Sequence, residues 1–441
     1  MPKPDSPCRL TAKGPRIYNL FPLLCGSVQQ WEDHLPRIAA MGFNWVYLNP
    51  FHYPGFSGSL YAVKDYYRIH DLMWDGEHSL EELLTSFCRK AGEQGLLVMM
   101  DLVINHTSKD SLLAEHHPDW FLHESDGSLR SPRAIEPADT RNVTIWGDLA
   151  EFDYHNSDHR ANLVGYFSDL ISHFLDCGIR GFRCDAAYLV PAEVWSHLIT
   201  LARSKRTDAI FLAETLGCHL DQVAALRSTG FDYLFNSATW WDFRSPWLLE
   251  QYNAFRHIAP SIAFPESHDT ERLASGLERD GLGDPVLVER AYRMRYMFVA
   301  AFSTGVMIPV GFEYGFRTRL NVALTRPEHW EQPLFDISDY IAAVNQMRAA
   351  IPVLNEEGAQ RQLHTGDPAV VCILRRALAG SSWVLLVFNT NLQQRLDACV
   401  SGLDDDVVLA REVTPGRQGA AVSLAEALPL VPGEARIFVN P

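Results

Sequence analysis

The sequence predicts a (β/α)8 barrel with an insertion after its third strand and a β-rich C-terminal domain. Three observations lead there. Short apolar runs alternate with amphipathic helical stretches up to about residue 350, the pattern of parallel strands joined by crossover helices. Eight such runs can be counted, the number that closes a barrel of this kind. Three of them end at or just before a carboxylate, Asp185, Glu214 or Asp269. A parallel barrel gathers the carboxyl ends of its strands on one face, so these side chains would meet.

Arg16–Leu20 is the first strand candidate. Trp31–Met41 follows as a helix, with Leu35, Ile38 and Ala39 at helical spacing and Gly42 as its stop. Trp45–Asn49 is the second strand, Leu80–Gly92 a helix ending before Gly95, and Leu96–Val103 the third strand. The next helix, Ala161–Cys177, repeats Leu163, Tyr166, Phe167, Leu170, Ile171 and Phe174 and stops at Gly178. Gly181–Asp185, Ile210–Ala213, Asp232–Phe235, Ser261–Phe264 and Val306–Val310 complete the eight.

The stretch His106–Asn156 is far longer than the usual βα connection of about two to six residues. Long excursions on this face are lids or subdomains, and the aromatic content argues against a disordered insert. Trp120 and Trp146 offer flat aromatic faces to a ligand, while Phe121 suits a local mini-core. After Pro352 the pattern changes. Val370–Arg375, Trp383–Asn389, Val407–Arg411 and Ala435–Val439 are short β-like runs separated by Gly, Pro and Asp, which predicts an antiparallel β-sandwich. The expected domains are therefore a barrel over 1–106 and 157–352, an inserted subdomain over 107–156, and a C-terminal domain over 353–441.

The chain has 441 residues, 47% of them hydrophobic, ample for one large core and a smaller one. A formal net charge of −16 argues against nucleic acid or an anionic membrane as a general partner. No apolar run is long enough to span a bilayer. The stretch from Met1 to Pro15 shows no apolar signal-peptide core, which favours the cytoplasm. Cys8, Cys25, Cys88, Cys177, Cys184, Cys218, Cys372 and Cys399 are scattered without a C-x-x-C pair, as suits free thiols in a reducing compartment. Cys184 adjoins Asp185 but should face the other side of its strand.

A nucleophile, an acid and a third carboxylate are what cleavage or transfer of a glycosidic bond needs. Arg183 shares a strand face with Asp185, and a guanidinium nearby favours an ionised carboxylate. Glu214 has no Arg or Lys neighbour in sequence, so burial near other carboxylates would keep it protonated. Four motifs occur in order: Asp101-Leu-Val-Ile-Asn-His106, Gly181-Phe-Arg-Cys-Asp185, Leu212-Ala-Glu214-Thr, and Ser267-His-Asp269. In these four motifs, and along nearly its whole length, the chain resembles the α-amylase superfamily, glycoside hydrolase family 13.

That resemblance implies Asp185 as nucleophile, Glu214 as general acid/base and Asp269 as a third carboxylate that binds ring hydroxyls. It implies His106 and His268 as sugar ligands and Tyr61, in Ser59-Leu-Tyr-Ala-Val-Lys-Asp65-Tyr66, as a stacking tyrosine. Asp65 would orient Arg183 or His106, or cap a turn. In relatives the Asn at position 105 helps to bind structural calcium with an Asp of the excursion, here Asp148. Calcium takes about six to eight oxygens and only two can be named, which favours internal hydrogen bonding instead. No cofactor is required.

A Lys-His pair found after the nucleophile in many endo-acting relatives is replaced by Tyr188-Leu189, so the acceptor side differs. His117-Pro-Asp-Trp-Phe-Leu and Asp339-Tyr-Ile-Ala-Ala-Val-Asn-Gln-Met-Arg resemble the maltosyltransferase branch, though no phosphate-binding cluster can be placed. The expected function is a retaining hydrolase of α-1,4-glucans or maltooligosaccharides. The alternatives are a transglycosylase with the same catalytic residues, or a non-catalytic sugar-binding or partner subunit. The intact carboxylates disfavour the last.

Overall fold

The computed structural model describes residues 14–135, 141, 143–417, 419 and 421–440. The N-terminal stretch through Lys13, with Cys8, lies outside the described residues.

Eight parallel strands close a barrel in sequence order. They are β1 (Arg16–Leu20), β2 (Trp45–Leu48), β3 (Leu97–Leu102), β4 (Gly181–Cys184), β5 (Ile210–Ala213), β6 (Tyr233–Phe235), β7 (Ser261–Ala263) and β8 (Gly305–Pro309). Each lies within a residue of the run that predicts it. Alternation along the strands sorts side chains into two layers. Ile17, Tyr47, Met99, Leu212, Ile262 and Met307 fill the interior. Tyr18, Val46, Met100, Phe182, Cys184 and Phe211 face outward into the larger core under the helices. The interior is tight at Gly181, where a side chain would press on Met99, Ile210 and Trp45.

Helix Leu80–Glu93 begins in a capping box, Ser79 with Glu82, and carries acidic residues in its first turn. Helix Ser157–Asp176 starts four residues before the periodic pattern, with Asn156 capping the Asp158 N–H. The expected single helix Trp31–Met41 is instead two short ones, Val28–Glu32 and Leu35–Ala40. Pro36 explains the break, because it has no N–H to give the Glu32 carbonyl and its ring crowds that turn.

The insertion is a small subdomain at the carboxyl end of β3. His106–Ser108 pairs antiparallel with Leu149–Glu151, and Arg133–Ile135 with Val143–Ile145. Its core holds Leu113, Trp120, Phe121, Leu149 and Phe152, all buried. Phe121 stacks on Phe152 at 4.6 Å, and Trp120 on His117 at 4.0 Å. Trp120 is therefore a core residue of the subdomain.

The C-terminal domain is a six-stranded antiparallel sheet. Its strand order is Gln360–Leu363, Val370–Arg376, Trp383–Asn389, Ala435–Val439, Leu409–Glu412, Ala421–Ser423. One face, with Val371, Ile373, Val384, Leu386, Phe388 and Ile437, joins the barrel's outer core. The other face packs beneath a two-stranded pair, Leu396–Ala398 with Leu428–Leu430. The expected sandwich thus has one large layer and one small one. Among the described residues no helix is long and apolar enough to cross a membrane, and the described cysteines are free.

Candidate active site

Strand register assembles the centre of the site. β4 pairs with β3 so that Arg183 lies opposite Asp101, and with β5 so that Arg183 lies opposite Leu212. All three point into the barrel. Arg183 Nη1 donates to Asp185 Oδ1 at 2.6 Å and to both Asp101 oxygens at 3.0 and 3.2 Å. Its Nη2 lies 4.0 Å from Glu214 Oε2. One buried guanidinium therefore touches three carboxylates. As parity requires, Cys184 is turned away into the outer core.

Asp185 and Glu214 keep a small opening to solvent, 14% and 11% of their side chains. Glu214 Oε1 accepts the Leu216 N–H at 2.6 Å, and Oε2 accepts the Ala186 N–H at 2.9 Å. Burial nevertheless dominates and pushes its pKa up to about 7. Arg183 opposes that shift and the Asp185 charge adds to it. Half of the Glu214 carboxyls are then protonated at neutral pH, as a proton donor requires.

Asp101 is the residue that sequence reasoning passed over. It is fully buried and accepts the hydroxyls of Tyr47 and Tyr61, each at 2.6 Å, besides Arg183. Burial raises its pKa, with Arg183 opposing. Asn49 adds a donor to Tyr61 at 3.1 Å. Asp101 opens one of the four motifs, so its position was in view. Its partners are distant in sequence, and only the strand register reveals them. Asp65 does not take that role. It sits within the strand Val63–Ile69 and accepts the N–H of Tyr67, two residues on, at 2.9 Å.

Tyr61 is the pivot between the buried centre and the rim. Its ring lies parallel to His268, with centroids 5.7 Å apart and planes 7° apart. Its proton goes to Asp101, so His268 Nε2, at 2.8 Å, is the donor between the two rings. The same Nε2 lies 3.1 Å from Asp269 Oδ2. Asp269 is 59% exposed and joins the group through His268 rather than through Arg183. The loop bearing it is tied down from below. Glu266 and Arg272 form a buried pair at 2.7 Å, and Arg272 also reaches the carbonyls of Val310 and Thr318 after β8.

His106 sits at the start of the inserted subdomain, buried, with no hydrogen-bond partner on either ring nitrogen among the described residues. Burial lowers its pKa and keeps the ring neutral, with Asp185 and Asp148 close enough to oppose the shift. A neutral imidazole near Asp185 can exchange a hydrogen bond with a bound hydroxyl group. Trp146 directly follows the strand Val143–Ile145, 42% exposed and outside the subdomain core. Tyr188 packs near Glu214, and burial followed by that charge pushes its hydroxyl up.

For a metal, Asn105 Oδ1 is buried without a hydrogen-bond partner among the described residues, an acceptor that a cation would satisfy. Asp148 lies near enough to influence the adjoining His106. Among the described residues no cluster of three His, Cys, Asp or Glu could hold an ion.

Comparisons with known proteins place this geometry in context. Residues 9–125 match the family described as glycogen debranching enzyme, glucanotransferase domain. The α-1,4-glucan:maltose-1-phosphate maltosyltransferase of Burkholderia pseudomallei is 29% identical over 378 residues, 82% of this chain and 31% of that protein. The Myxococcus xanthus enzyme of the same name is 25% identical, over 80% of this chain and 55% of its own length. The chain thus spans less than two thirds of these relatives. Among solved structures, a noncanonic maltogenic α-amylase from Thermotoga neapolitana superposes with a TM-score of 0.72 at 24% identity, covering 97% of this chain and 98% of that one. An α-amylase from Geobacillus thermoleovorans, complexed with acarbose, gives 0.76 at 16% identity, covering 98% and 99%.

Proposed function

We propose that this chain, a member of the α-amylase superfamily with resemblance to its maltosyltransferase branch, is a retaining glycoside hydrolase of α-1,4-glucans or maltooligosaccharides. The observation that carries the reading is the shared guanidinium. Arg183 bonds Asp185 directly but stands 4.0 Å from Glu214, whose pKa is raised to about 7. The guanidinium is thereby committed to one of two neighbouring carboxyls, Asp185, and the other, Glu214, is left able to carry a proton near neutral pH.

The reaction follows from that division. Asp185 attacks the anomeric carbon while Glu214 gives its proton to the leaving oxygen, and a glycosyl ester forms on Asp185. Esterification removes the Asp185 charge, one of the causes that hold the Glu214 pKa up. Glu214 then becomes the stronger acid, stays ionised and takes a proton from water as the ester is cleaved. Tyr61 offers a ring to the apolar face of the sugar, and His106, His268 and Asp269 offer hydrogen bonds to its hydroxyls. Trp146 extends the contact from the subdomain. Asn105 and Asp148 are the residues that would contribute to a structural calcium site.

A second reading is transfer to a sugar acceptor. Two observations favour it: the similarity to maltosyltransferases, and Tyr188 standing near Glu214 where the acceptor would enter. The free described cysteines support a reducing compartment, and we place the protein in the cytoplasm. The test is product analysis on maltotriose, with and without maltose 1-phosphate. Shorter sugars released first as the α-anomer support hydrolysis with retention. Longer oligosaccharides support transfer. First release of the β-anomer would rule out a covalent intermediate on Asp185.

A further inference from the structure

Ala186 directly follows the nucleophile and has φ 41° and ψ 49°. This is the left-handed region, which an alanine holds at a cost and a glycine does not. Ser228 and Phe243 are the other described non-glycine residues with positive φ, and neither adjoins a catalytic carboxylate. A strained residue persists where its surroundings demand it. Here strand pairing runs up to the nucleophile, whose N–H donates to the Leu102 carbonyl at 3.1 Å. The turn begins one residue later. Ala187 gives its N–H to the Glu214 carbonyl at 3.1 Å, and Leu189 gives its own to the Ala186 carbonyl at 2.9 Å. The Ala186 N–H is left out of the ladder and donates to Glu214 Oε2 at 2.9 Å. A single peptide unit therefore joins the nucleophile's own residue to the carboxyl of the acid.

We infer that Ala186 is a positioning residue, whose left-handed turn aims its backbone N–H at Glu214 and so fixes the acid/base carboxyl relative to Asp185. The inference rests on the roles proposed above for those two residues. Without the turn, Glu214 would keep one hydrogen bond, from Leu216, and the distant ion pair with Arg183, and the broad torsion next to its carboxyl would let it swing. A left-handed conformation is a genuine outlier for a β-branched residue, so Ala186→Val must disturb the turn without changing charge or polarity.

Two substrates separate positioning from general damage. Maltotriose needs a proton on its leaving oxygen, whereas α-maltosyl fluoride releases fluoride without one. Ala186→Val is expected to lower kcat/KM on maltotriose about 100-fold and first-turnover fluoride release by less than about fivefold, since general acid catalysis is worth about 100-fold or more. Ala186→Gly, which holds the turn freely, is expected to restore most of the loss. Equal losses on both substrates, no loss on maltotriose, or a glycine variant as poor as the valine variant would each overturn the inference. Should Ala186→Val fail to fold, lactic acid incorporated in place of Ala186 replaces the N–H by an ester oxygen and keeps the methyl side chain. It is read in the same two assays, with the same outcomes deciding. A parent protein inactive on both substrates overturns the assignment of Asp185 and Glu214, and the inference with it.

Discussion

Raising the pH from 6 to 8 should switch off the proton donor while leaving the nucleophile and the fold in place. Glu214 lies at about 7, driven up first by burial and further by the Asp185 charge. The active form is the protonated one, so activity is present below that value and lost as pH rises through it. With a pKa near 7, about ten elevenths of the carboxyl is protonated at pH 6 and about one eleventh at pH 8, a tenfold fall. The assay is kcat/KM on maltotriose at constant ionic strength, beside α-maltosyl fluoride. The maltotriose profile should bend near pH 7 and drop about tenfold by pH 8, while first-turnover release of fluoride changes little. A flat maltotriose profile between pH 6 and 8, with the protein folded throughout, would refute the link between burial and proton donation. So would an equal fall on both substrates.

Asp185→Ala and Glu214→Gln should each reduce turnover by several orders of magnitude while circular dichroism and melting temperature stay near those of the parent. Near-full activity of either would remove that residue from the mechanism. Asp101→Asn should cost about 3 kcal/mol of unfolding free energy, because it removes the charge facing a buried guanidinium and turns an amide N–H towards either Arg183 or the two tyrosines. Denaturant titration measures it, and kcat should fall with it as Arg183 and Tyr61 loosen. Trp146→Ala should raise KM for oligosaccharides and change stability by less than about 0.5 kcal/mol, because the ring lies outside the subdomain core. A purely thermal loss with unchanged kinetics would make Trp146 scaffolding.

The barrel was legible because its signals are local. Each strand is an apolar run between polar segments, and each later helix stops at a glycine or a cap. The split at Pro36 was also local, and periodicity alone passed over it because Leu35, Ile38 and Ala39 keep helical spacing across the break. The site was legible where a side chain's role follows from its parity on one strand, as for Arg183, Asp185 and Cys184. It was not legible where a role depends on neighbouring strands. Asp101 meets Arg183, Tyr47 and Tyr61 only through register. Asp65 looked suited by charge to orient Arg183 or His106, yet it bonds the Tyr67 N–H on its own strand. Ala186 left no trace at all, since alanine is a poor marker of a left-handed turn.

The seam between barrel and C-terminal sheet has a consequence for how the chain comes apart. Phe388 packs on Phe243 and Phe298, and Tyr252 bonds the Gly358 carbonyl at 2.9 Å. Glu357 accepts hydrogen bonds from Ser261 on β7 and from Thr304, and Arg375 reaches the Ala301 carbonyl at 2.8 Å. Pattern changes at Pro352, but the apolar core runs straight across it. Heating should therefore melt both parts in one cooperative transition, and a chain cut at Pro352 should expose barrel helices that have no other cover. In folding terms the sheet is a wall of the barrel domain supplied by a later stretch of the chain.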